Sequence, residues 1–93
     1  MDILQLKQYT SAADLPNEHY RALWLDAHGD WNGAHRVVQA LADAHAMWIH
    51  AYLHRKEPDI ENARYWYRNA GKPYPGDEPF DTEAARILAS LGG

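Results

Sequence analysis

Gly29-Asp30-Trp31-Asn32-Gly33-Ala34-His35-Arg36-Val37-Val38-Gln39 is answered, 29 positions later, by Pro58-Asp59-Ile60-Glu61-Asn62-Ala63-Arg64-Tyr65-Trp66-Tyr67-Arg68. In each copy a helix breaker and an aspartate stand before apolar residues at helical spacing. Each copy also follows a stretch that is itself helical in pattern, so the repeated unit is helix, tight turn, helix. One such hairpin cannot bury its apolar face alone, and two in succession are expected to stack. The echo therefore predicts an all-α fold: two stacked helix-turn-helix hairpins, over about 17–42 and 44–75, in a single domain spanning 1–93. Terminal capping helices complete it, the C-terminal one over about 81–91.

Outward from the first corner, Tyr20, Leu23, Trp24 and Ala27 fall at i, i+3, i+4 and i+7, one apolar stripe on a helix from about Asn17 to His28. Gly29 ends that helix, and Asp30 caps the next, whose stripe is Trp31, Ala34, Val37, Val38 and Leu41. Gly33 costs that helix about 1 kcal/mol relative to alanine; a close approach by a neighbouring helix would explain it. The third helix, about Ala44 to Glu57, is apolar or aromatic on nearly every side through Met47, Trp48, Ile49, Ala51, Tyr52 and Leu53, which predicts a central position. Pro58 stops it and Asp59 caps a fourth helix with the stripe Ile60, Ala63, Trp66, Tyr67 and Ala70, leaving Tyr65 toward solvent. Gly71 to Pro79 reads as an extended, proline-stiffened loop. Phe80-Asp81-Thr82-Glu83 reads as the staple and cap of a last helix, with Ala84, Ile87, Leu88 and Leu91 as its apolar face and Gly92-Gly93 as its end. Residues 1–10 suit a short helix or arm.

Nine basic against thirteen acidic residues give a net charge of −4, which argues against nucleic acid as a partner. Six histidines could reverse that sign in mild acid. There is no cysteine, hence no thiol-ligated metal and no thiol nucleophile. No segment reaches the roughly 20 apolar residues needed to span a bilayer, and the N-terminus lacks a signal-peptide pattern. A soluble, cytoplasmic chain with no membrane partner is expected. Four Trp and six Tyr supply the large apolar surfaces that an alanine-rich core needs.

The corner with its flanking residues is similar to a tetratricopeptide repeat: Gly29-Asp30-Trp31 and Ala34 in one copy, Ala51, Pro58-Asp59, Ala63, Tyr67, Ala70 and Pro75 in the other. Asn62 to Ala70 also resembles a Sel1-type repeat. The string Trp48-Ile49-His50-Ala51-Tyr52-Leu53-His54-Arg55, with the Asn62–Gly71 segment, resembles a family of small uncharacterised bacterial proteins. The spacing departs from the tetratricopeptide pattern, 29 residues against about 34.

That resemblance implies a non-enzymatic module binding a protein or peptide, or a second copy of itself as a homodimer. The inner side of the first helix of each unit would form the groove, with His19, Leu23 and Asp26 from one unit and His45, Trp48, Tyr52 and Arg55 from the other. Aromatic anchors beside one arginine suit a peptide or a carboxylate. The competing reading is a small metal-dependent or histidine-assisted enzyme centred on His50 and His54, whose i, i+4 spacing puts two imidazoles on one helical face. Such a site needs a third polar ligand, for which His28, Asp26 and Asn62 are the candidates. Against it stand the absence of an HExxH glutamate and the ordinary fate of such histidines, buried and bonded to Tyr, Asn or backbone. No phosphate-cradling glycine loop and no GxSxG elbow occur. No catalytic residue is assigned and no cofactor is expected.

Overall fold

Helices begin where the chain offers an oxygen to otherwise unpaired amides. Asp2, Asn17, Asp30, Asp43 and Asp59 accept from the amides three residues ahead, opening α1 (Ile3–Gln8), α2 (Glu18–Ala27), α3 (Trp31–Gln39), α4 (Ala44–Lys56) and α5 (Ile60–Ala70). A final helix, α6, spans Phe80–Gly92. The computed structural model describes residues 1–92, and every regular element among them is helical. Gly93, the last residue of the expected Gly92-Gly93 stop, lies outside the described residues. No helix among them is long and apolar enough to cross a membrane.

The two corners of the echo are built alike. The Asp30 amide donates to the Leu25 carbonyl at 2.8 Å, and the Asp59 amide to the His54 carbonyl at 2.8 Å. At the first corner Gly29 takes the left-handed conformation, φ +84°. At the second, Pro58 makes the turn with its ring-fixed negative φ.

Gly33 has a more local reason than the expected helix approach. A Cβ there would meet the capping carboxylate of Asp30 at 2.3 to 2.9 Å. The glycine lets Asp30 fold over the helix start, where it accepts the Gly33 amide at 2.8 Å.

α2 packs on α3 and α4 packs on α5, while α4 also touches α2, α3 and α6. Its central position follows from its residues: Ala46 and everything from Trp48 to Arg55 are buried. α1 lies against α2 and α6. α6 crosses α2 and α4 with Ala84, Ile87 and Leu88 inward. On α5, Ala63, Tyr67 and Ala70 face the core and Tyr65 is 50 % exposed, as the period requires. Glu83, expected in a helix cap, is instead completely buried.

Candidate metal centre

His50 and His54 lie one turn apart on α4, and the packing of α3 on α4 brings His35 against both. Ring centroids are 4.6 Å apart for His35–His50, 5.2 Å for His35–His54 and 4.8 Å for His50–His54. One nitrogen from each ring lies within 4.8 Å of the other two. His50 and His54 are buried, at 6 % and 5 % exposure, and His35 is half-buried.

Two tryptophans hold these rings in place. Trp31 stacks on His35, one turn along α3, with centroids 5.0 Å apart and planes 9° from parallel. Trp66 of α5 stacks on His50 at 4.0 Å and 14°. The Trp31 indole N–H donates to the Leu53 carbonyl at 2.7 Å, which fixes that wall to α4. Stacking covers the faces of the imidazoles and leaves their edges, where the nitrogens are. A metal binds in the ring plane, so the uncovered part is the part a ligand uses.

Those edges are largely free of protein partners. Among the described residues the hydrogen bonds made by histidine rings belong to His19, His28, His45 and His54. His35 and His50 make none. Because no fully buried side-chain nitrogen or oxygen among the described residues lacks a partner, the unpaired nitrogens of His50 are ones that reach solvent. The expected satisfied core histidine is thus not what His50 is. His54 differs: its Nδ1 pairs with Glu57 Oε1 at 2.5 Å, leaving Nε2 for anything else.

Burial, and next the neighbouring His35 and His54, push the His50 imidazole down to about 4. His35 is also lowered, first by burial and then by His54, with Glu57 opposing. Both rings are neutral at pH 7, the state in which imidazole donates a lone pair to a metal.

The residues named from sequence as a third ligand go elsewhere. His28 stacks on Trp24 with centroids 4.0 Å apart. Asp26 takes the Lys56 ammonium at 2.7 Å, and the Asn62 amide reaches Asp59 at 3.4 Å. His35 fills the place instead. Its signal lay inside the opening echo, where Trp31 and His35 stand four apart on the helix that precedes α4. A central helix meets the helix before it as well as the one after, whereas His28, Asp26 and Asn62 stand at the end of α2 and on α5.

The seven groove residues are brought together in part. His19 donates through Nε2 to Asp43 Oδ2 (2.7 Å) and meets His45 edge-on at 6.1 Å, while His45 pairs with Ser90 Oγ at 2.9 Å. Leu23, Asp26, Trp48, Tyr52 and Arg55 are buried. α6 lies over Trp48, Tyr52 and Arg55. Trp48 Nε1 donates to Glu83 Oε2 at 3.1 Å, and Arg55 donates to Glu83 Oε1 through Nε at 3.0 Å and Nη2 at 2.8 Å. Phe80 meets Tyr52 edge-on at 6.3 Å and lies 4.5 Å from the Arg55 guanidinium. A cavity of about 120 Å³ remains beside Leu23, Asp26, Tyr52 and Lys56.

Compared with known protein families, curated proteins and solved structures, the chain matches none.

Proposed function

We propose that this chain is a small helical module that holds a divalent first-row transition metal, zinc or one of its neighbours, on His35, His50 and His54. The observation that carries it is the convergence of three imidazole edges, two of them without protein partners, held by aromatic stacking. Nitrogen donors without oxygen favour zinc, copper, nickel or cobalt over magnesium or calcium. Zinc–nitrogen bonds of about 2.0–2.1 Å place tetrahedral ligand nitrogens roughly 3.3 Å apart. From the present spread of up to 4.8 Å, the three nitrogens would have to draw together by up to about 1.5 Å to share one ion. Three protein donors leave a fourth position for water or for a donor from a partner protein.

The peptide groove has less behind it, because α6 lies over Trp48 and Arg55 and supplies the carboxylate a peptide would bring. The test is a cobalt(II) titration of untagged protein, followed by visible absorption, with zinc content measured in parallel. One tetrahedral site per chain is expected, and His35→Ala should weaken it by at least about tenfold while leaving the helical spectrum intact. No metal uptake, or uptake indifferent to His35→Ala, removes the reading.

A further inference from the structure

Glu57 stands beside the three histidines and is not one of the three ring donors. It ends α4, one turn beyond His54, on the outward side of that ring. Its Oε1 sits 2.5 Å from Nδ1, and at neutral pH a carboxylate can only accept. The bond therefore requires a proton on Nδ1, and of the two tautomers of the neutral ring it selects the one whose Nε2 lone pair is bare. An isolated imidazole is free to carry its proton on either nitrogen and to rotate about two side-chain bonds. Here both freedoms are removed. The ring is also gripped on its other sides, by His50 stacked at 4.8 Å and by Trp31 edge-on at 5.8 Å.

The backbone on which Glu57 rides is fixed too. Its amide donates to the Leu53 carbonyl at 3.3 Å, and the following corner is closed by the Asp59 amide on the His54 carbonyl at 2.8 Å. The carboxylate is thus aimed at Nδ1 by helix end and corner together. Electrostatics add a second effect. Three neutral imidazoles leave the charge of a divalent ion uncompensated, and a carboxylate bonded to the far side of one ring makes that ring a stronger donor.

We infer that Glu57 is the positioning residue of the metal centre, holding His54 in the tautomer and orientation that present Nε2 to the ion. The inference rests on the metal reading above, and its test separates the two. In the apo protein, ¹⁵N-detected histidine spectra of the wild type should show His54 protonated at Nδ1. Glu57→Ala should give a mixed tautomer, and Glu57→Gln, which keeps an acceptor oxygen, should restore the wild-type pattern. Zinc affinity, measured by competition with a chromophoric chelator, should fall about 10- to 100-fold in Glu57→Ala and recover in part in Glu57→Gln. Because the Glu57 side chain is at the surface, circular dichroism should report the same fold for all three. If the wild type binds zinc and Glu57→Ala binds it equally well, the Glu57 role is wrong and the centre stands. If the wild type binds no zinc, both fall, whatever the tautomer.

Discussion

At the level of single residues, the interior holds one acid whose surroundings are more demanding than any histidine's. Glu83 is wholly buried and accepts four hydrogen bonds, two from Arg55, one from Trp48 and one from the Tyr67 hydroxyl at 2.6 Å. Arg55 further donates to the Glu78 and Gly76 carbonyls, so the pair also ties down the loop before α6. Burial and then the Glu83 carboxylate push the Tyr67 phenol far above its ordinary range, so it stays a donor. Removing one partner of such a pair leaves a buried charge without compensation, at a cost of about 3–5 kcal/mol. Glu83→Ala is expected to lose that much in urea melts; a loss below about 1 kcal/mol would mean that the network contributes little. None of this was legible in the sequence. Thr82-Glu83 after Phe80 matches a helix start, and local pattern gives no way to tell a capping glutamate from one that turns inward to a distant arginine. His50 and His54 were legible as a pair, because i, i+4 spacing is local; His35 was not, because its place depends on how α3 packs.

At the level of elements, the corners carry the repeat and they carry it by different means. Gly29 needs a left-handed backbone, and alanine there costs about 1–2 kcal/mol. Gly29→Ala should lower the unfolding free energy by that amount, with calorimetry or denaturant melts as the check. Pro58→Ala should be milder, since that corner closes the same hydrogen bond without a positive φ. Equal losses at both would contradict this account. Helix positions were the most readable part of the chain. Asp30 and Asp59 caps, Pro58 as a stop and the 3.6-residue stripes place α2, α4 and α5 within a residue or two of the observed bounds, whereas the end of α3, at Gln39, carries no clear stop signal. The course of α6 was not readable. Its apolar face is clear from Ala84, Ile87 and Leu88, but an apolar face does not say which of the exposed hairpin sides it will cover.

For the molecule as a whole, the proposed centre joins its two halves. His35 belongs to the first hairpin, His50 and His54 to the second, so an ion bound by all three cross-links α3 to α4. A ligand that binds only the folded state, at a hundred times its dissociation constant, stabilises by about 2.7 kcal/mol. In a chain of this size that corresponds to a rise of roughly 10–20 °C in Tm. Zinc should produce that rise in the wild type and not in His35→Ala, where the two remaining histidines can brace only one helix. A chelator should reverse it. Equal shifts in the two proteins would show that the ion sits elsewhere.

The position of α4 has a consequence for how the molecule breathes. It is pressed by four other helices, whereas α5 leans on α4 and α1 on α2 and α6. Its amide hydrogens should therefore exchange with deuterium only when the whole chain unfolds, while those of α1 and the outer turns of α5 should exchange through smaller openings. Each excursion of α5 carries Trp66 away from His50. The protection ladder along the chain, read by mass spectrometry, is then also a measure of how often the covered face of the His50 ring is laid bare.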